Sequence, residues 1–196
     1  MENLLKSVVT LQEQLKRAGV TSAVIGGIAV SVWGEPRLTR DVDMKVLLRR
    51  EDAARLLAIL SPEYVCLSSN PLATLRRNGI LFVQDSLNTR LDLLLTDTDF
   101  DVQAIRRARP IEIQPGIVAT ICTAEDLIIY KLISTRPRDN ADAESVVHRQ
   151  GNNLDDAYVL SWLRQFEEAL ADSTLVAEYL RLRGKQPAAI RRLKNG

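Results

Sequence analysis

Two aspartates two residues apart constrain this chain more than any other feature. Asp41 and Asp43 open an apolar run, Asp41 to Leu48, that reads as a β-strand. Side chains alternate across a strand with period two, so both carboxylates face the same side. Side by side they repel, and the arrangement becomes favourable only with a cation between them. Oxygen donors of this kind suit Mg²⁺ or Mn²⁺, with a phosphate completing the shell. Upstream, an apolar strand-like run from Val20 to Ile25 leads into Gly26-Gly27. A helix-compatible segment, Gly27 to Trp33, follows and ends in a turn at Gly34-Glu35-Pro36. A glycine turn entering a helix N-terminus offers backbone N–H groups to an anion. The stretch from Ile25 to Leu48 therefore reads as a phosphate cradle facing a divalent-metal site.

The rest of the chain divides into two halves. Leu4, Val8, Leu11, Leu15 and Ala18 recur at helical spacing before Gly19. Glu51 to Leu60 reads as a second amphipathic helix. Tyr64 to Leu67 and Ile80 to Gln84 read as strands, with Asn70-Pro71 and Asn78-Gly79 as turn signals between them. Thr89 to Thr96 is a strand carrying Asp92 among leucines. The segment from Asp97 to Arg109 begins with acids and ends with bases, as a helix dipole favours. Ile111 to Ile113 and Ile117 to Ile121 are strand-like around a Pro115-Gly116 turn. After Cys122 the pattern is helical only, starting with a capping box at Thr123 and Asp126. The expectation is an α/β (α+β) fold: a small mixed sheet with flanking helices over residues 1–122, and a helical part over 123–196.

Composition narrows the class. A chain of 196 residues, 46% hydrophobic and 26% charged, buries a sizeable core in one domain or a compact two-lobed unit. A net charge of +1 gives no global field toward nucleic acid. Cys66 and Cys122 stand far apart, without metal spacing or a disulfide framework. No apolar run approaches the ~20 residues of a membrane span, and the first residues are charged and amphipathic. A cytoplasmic protein is expected. Residues 181–196 carry Arg181, Arg183, Lys185, Arg191, Arg192 and Lys194 without an acid. That block suits an RNA backbone or a solvated terminal face.

Gly26-Gly27 followed by Asp41-Val42-Asp43 resembles the signature of the polymerase-β-like nucleotidyltransferase superfamily. Leu38-Thr39-Arg40-Asp41-Val42-Asp43 is most similar to the AbiEii/MenT group of bacterial nucleotidyltransferases, often toxins of toxin–antitoxin pairs. The resemblance implies a nucleotidyltransferase palm, two Mg²⁺ or Mn²⁺ ions, and an NTP as co-substrate. It makes Asp41 and Asp43 the bridging metal ligands and Asp92 the third catalytic acid; the alternative for Asp92 is a simple pair with Arg90. Gly26, Gly27 and Ser31 are expected at the phosphates. Arg37 is expected to share the strand face of Thr39, Asp41 and Asp43 and meet the triphosphate, with Arg40 pointing away toward an acid or a packed neighbour.

Lys131 lies in an apolar helical run, where a lysine either snorkels to the surface or reaches an anion. The resembling group uses a lysine here for the nucleotide phosphates, followed by an Asp-x-x-Asp element that Asp139 and Asp142 match. Those two share a helix face and are expected to orient Lys131 or Arg138. His148 is expected to be an ordinary helix-surface residue. The acceptor stays open: a tRNA 3′ end or a protein hydroxyl with a cognate antitoxin as partner, or an aminoglycoside or lincosamide hydroxyl. A catalytically silent nucleotide- or partner-binding domain is the remaining alternative.

Overall fold

The computed structural model describes residues 2–134 and 136–184. Its centre is a seven-stranded mixed sheet in the order β3-β4-β5-β2-β1-β7-β6. The strands are β1 (Ser22–Val24), β2 (Asp41–Val46), β3 (Val65–Cys66), β4 (Ile80–Gln84), β5 (Arg90–Leu95), β6 (Arg109–Gln114) and β7 (Ile117–Ile121). The β2–β5 and β1–β7 pairs are parallel and the others antiparallel.

Helix α1 (Glu2–Arg17) buries Leu4, Leu5, Val8, Leu11 and Leu15 and packs on β1, β2 and β7. That stripe is the helical spacing predicted from the sequence. Helix α2 (Gly26–Trp33) connects β1 to β2, and α3 (Ala53–Leu60) buries Leu56 and Leu60.

One predicted connection is wrong. The segment between β3 and β4, expected as two turns, is a helix, α4 (Pro71–Asn78). Asn70 caps it by accepting from the Ala73 N–H at 3.1 Å, Pro71 occupies the first turn, and Gly79 closes the end at φ +67°. The Asn-Pro and Asn-Gly pairs are the punctuation of that helix rather than hairpin turns.

Helix α5 (Asp99–Arg107) follows β5, and among the described residues β7 is followed by α6 (Ala124–Leu132), α7 (Pro137–Gln150), α8 (Asp156–Leu170) and α9 (Leu175–Leu182). The division expected near residue 122 coincides with the end of β7. A single apolar cluster nevertheless crosses it, joining Val24 and Ile28 to Leu127, Ile128, Val146 and Leu163. Contacts of α2 with α6 and α7 bring the C-terminal helices to the glycine turn. Phe100 of α5 meets Tyr130 of α6 at 4.9 Å, and Trp162 and Phe166 of α8 at 5.2 and 5.4 Å between ring centroids.

Both cysteines are free, Cys122 fully buried. No described helix is long and apolar enough to cross a membrane. Within the basic C-terminal block, Arg181 pairs with Glu178 and Arg183 with Asp156. Lys185, Arg191, Arg192 and Lys194 lie outside the described residues.

Candidate active site

Parallel pairing of β2 with β5 sets the site. Asp41 stands opposite Arg90, Asp43 opposite Asp92 and Lys45 opposite Leu94. Registered partners share a sheet face, so these six side chains line one side. The other side holds Val42, Met44, Val46, Leu91, Leu93 and Leu95, all buried in the core. The alternation expected from Asp41-Val42-Asp43 is thus present, and it extends to Lys45.

The glycine turn packs directly against the second aspartate. Ile25 donates its N–H to the Asp43 carbonyl at 2.9 Å. Gly26 has φ +62°, a left-handed conformation, and a Cβ there would overlap the Asp43 carboxylate. A Cβ on Gly27 would fall 2.6 Å from the Thr39 hydroxyl oxygen. That hydroxyl donates to Asp41 Oδ1 at 3.0 Å. The two glycines therefore let the start of α2 meet the Asp43 and Thr39 side chains directly. Burial pushes the Asp43 carboxyl above its ordinary range, and the charges of Asp41 and Asp92 push the same way. Lys131 and the Gly27 N–H oppose the shift without cancelling it.

Asp92 stands on the carboxylate face and is paired there with Arg90. It registers against Asp43, and it accepts a two-pronged ion pair from Arg90, with N–O distances of 2.7 and 3.0 Å. Arg90 is half exposed and stacks on the Phe82 ring at 4.5 Å.

Lys131 does not snorkel. It is buried on α6, with its Nζ 2.5 Å from Asp139 Oδ1 and 2.8 Å from Asp142 Oδ2. Arg37 pairs with the same Asp142 at 2.7 and 2.8 Å. The expected Asp-x-x-Asp element therefore orients Lys131, whereas Arg138 approaches the Leu38 carbonyl at 3.5 Å.

Three expectations are corrected. Regular strand begins at Asp41 and residues 35–39 have no regular structure, so Arg37 reaches the cleft from a loop, paired with Asp142. Arg40 points neither away nor to an acid; it is exposed, lines the cleft and makes no ion pair among the described residues. Ser31 returns its hydroxyl to the Gly27 carbonyl at 3.1 Å, one turn back in α2, and is not among the cleft residues.

Two cavities meet at Asp43, Lys131, Arg136 and Asp139. The polar one, about 670 Å³, adds Gly27, Arg37, Thr39, Arg40, Asp41, Arg90, Asp92 and Arg138. The other, about 380 Å³, is mostly apolar and adds Gly26, Lys45, Leu94, Phe100, Asp101, Leu127, Tyr130 and Phe166. Lys45, Asp101 and Tyr130 were not singled out from the sequence. Lys45 was detectable, since it is the next residue on the carboxylate face after Asp43. Asp101 was hidden because its position explains it as a helix-start acid.

The donor set fits a hard divalent cation: three carboxylates on one face, with Asp43 raised first by burial and then by the charges of the other two. Among the described residues no three metal-binding side chains are already drawn together as a shell. Asp92 is turned to Arg90 and Asp41 to Thr39.

Comparison with known proteins places the architecture. No protein-family model matches the chain, and no curated sequence matches it. Several solved structures share the fold. An antigenic nucleotidyltransferase-like protein from Paracoccidioides brasiliensis aligns at TM-score 0.52 and 15% identity, over 89% of this chain and 96% of that one. The antibiotic-resistance factor ANT(2″)-Ia aligns in its solution structure at TM-score 0.57 and 10% identity, over 87% and 96%. Its crystal structure with adenylyl-2″-tobramycin aligns at 0.56 and 10%, over 83% and 98%. The chain thus has the mixed α/β fold of nucleotidyltransferase-like proteins.

Proposed function

We propose that this chain is a metal-dependent nucleotidyltransferase that moves a nucleoside monophosphate from an NTP to an acceptor hydroxyl. The observation that carries this reading is the register of β2 on β5. It sets Asp43 beside Asp92 with Asp41 on the same face, against a glycine turn that opens a helix. The shared nucleotidyltransferase-like fold supports it.

In this reading the acceptor oxygen forms a bond to the α-phosphorus as the α–β phosphoanhydride bond breaks, and pyrophosphate leaves with the electron pair. Asp41, Asp43 and Asp92 would hold the Mg²⁺ or Mn²⁺ ions, with Asp92 on the acceptor side. Such ions neutralise the attacking and leaving oxygens of an in-line displacement. Asp92 takes the acceptor's proton, once Arg90 has released it. Gly26 and Gly27 admit the phosphates to the α2 N-terminus. Lys131, already fixed by Asp139 and Asp142, and Arg37 stabilise the departing pyrophosphate. Ser31 acts through the turn, by holding the Gly27 carbonyl.

The acceptor we assign is the 3′ end of an RNA such as tRNA, in a toxin-like enzyme of the AbiEii/MenT type. Arg37, Arg40, Arg90, Arg136 and Arg138 all line the polar cavity that contains Asp92. Arginine forks match phosphodiester oxygens. An aminoglycoside acceptor is the second reading, favoured by the fold shared with ANT(2″)-Ia. A cationic drug gains less from this arginine rim than RNA does. The test is incubation with each α-labelled NTP, Mg²⁺ and either total tRNA or an aminoglycoside panel. Label on tRNA, absent with Asp43→Asn, is the expected result. Label on a drug would move the protein to the second reading, and label on neither acceptor, or unchanged turnover by Asp43→Asn, contradicts the assignment.

A further inference from the structure

The apolar cavity beside Asp43 is not needed for phosphates, metals or an RNA backbone. Its walls are Phe100, Tyr130, Phe166, Leu94 and Leu127, and at about 380 Å³ it has room for a flat heterocycle. It touches Gly26 and Asp43 but neither Asp41 nor Asp92. The acceptor side and this side therefore part at Asp43. A triphosphate lying at the junction, against Lys131, has its nucleoside on one side only. Aromatic walls suit a nucleobase, because every base has a π-face.

Of the polar groups that line this cavity, Lys45, Asp101 and Tyr130 form one hydrogen-bonded cluster. Asp101 Oδ1 already accepts from Lys45 Nζ at 2.6 Å and from the Tyr130 hydroxyl at 2.9 Å. Its Oδ2 accepts from the Asp97 and Thr98 N–H groups at 3.0 and 3.2 Å. Asp101 is thus saturated as an acceptor, and Tyr130 has committed its proton. Lys45, whose Nζ also lies 5.5 Å from the Tyr130 ring centroid, retains two N–H donors after meeting Asp101. A cationic donor held this way prefers a carbonyl oxygen to an exocyclic amino group.

Resting on the nucleotidyltransferase reading above, we propose that this cavity receives the base of the NTP, and that Lys45 selects a carbonyl-bearing base over adenine. Asp101 and Tyr130 are positioning residues that hold the Lys45 ammonium at the cavity wall.

The test is calorimetric binding of α,β-methylene analogues of the four NTPs, and of inorganic tripolyphosphate, each with Mg²⁺. Wild type should bind at least two carbonyl-bearing analogues about tenfold more tightly than the ATP analogue, the scale of one hydrogen bond to a charged group. Lys45→Met should bring all four within about twofold while leaving tripolyphosphate unchanged. Asp101 keeps three donors in that variant, and a thermal melt checks that it is folded before binding is read. Leu94→Trp, which fills the cavity opposite Lys45, should reduce every analogue to the affinity of tripolyphosphate. Analogues that bind wild type no better than tripolyphosphate, or base discrimination that survives Lys45→Met, would overturn the proposal while leaving nucleotidyl transfer standing. Binding of neither analogues nor tripolyphosphate would instead overturn the functional reading on which it rests.

Discussion

Two pairs of aspartates lie either side of Lys131 and live under opposite conditions. Asp139 and Asp142 on α7 are buried, which works to raise their carboxyl pKa values. Hydrogen bonds from Lys131, from Ser134 and Arg136 to Asp139, and from Arg37 to Asp142 outweigh that and hold both below the ordinary range. Asp43, with Asp41 on β2, is also largely enclosed, but its neighbours on the sheet are other carboxylates, and its pKa is raised. Spacing alone does not separate the pairs, since both put two carboxylates on one face. The difference is who supplies the positive charge. On α7 the protein does, which makes that pair part of the scaffold. On β2 the proposed metal ions would supply it.

The largest effect that sharpens this contrast is Asp43→Asn. Transfer should fall by at least about a thousandfold, while the thermal midpoint of the metal-free protein stays level or rises because a repulsion is removed. Labelled transfer together with thermal melting checks both halves. Lys131→Met acts on the other pair. It leaves two buried carboxylates short of their cation, costing about 3–5 kcal/mol and lowering Tm by roughly 10 °C. A melt as stable as wild type would show that Asp139 and Asp142 do not depend on Lys131.

Stability against pH should then show two opposite signs. Asp43 has a folded pKa above its unfolded one. Its contribution is present below the unfolded value and is lost as pH rises through the raised one. Asp139 and Asp142 have depressed values, so their contribution is present above the unfolded value and is lost as pH falls through the folded ones. Melting curves of metal-free wild type and Asp43→Asn should therefore diverge as pH rises past the ordinary aspartate range, and Mg²⁺ should close the gap. The smallest effect concerns Arg90. Its guanidinium is half exposed while the Asp92 carboxylate is buried, so Arg90→Ala should lower Tm by only a few degrees and tighten Mn²⁺ binding a few-fold. Weaker Mn²⁺ binding would show that Arg90 supports the metal ligand rather than competing for it.

The carboxylate face is readable in the sequence because strand periodicity is strict. Asp41 and Asp43 had to share a side, and Gly26 next to a strand end had to allow close approach. Asp92 was legible as an acid among leucines, but its registration on Asp43 was not, since strand pairing is a long-range property. For the same reason the partner of Arg37 stayed hidden: Asp142 lies on a helix far along the chain. The α4 helix was missed because Asn-Pro and Asn-Gly signal helix caps and turns equally well. Lys45, Asp101 and Tyr130 come from three separate elements and become one group only once β2, α5 and α6 are packed.

The most direct measurement is titration of Mn²⁺, followed by electron paramagnetic resonance, into wild type and Asp43→Asn in the presence of an α,β-methylene NTP. The account predicts two ions per wild-type chain, and loss or marked weakening of both when Asp43 is replaced. Equal Mn²⁺ binding by the two proteins, or none by either, would contradict a metal centre built on the β2 and β5 carboxylates.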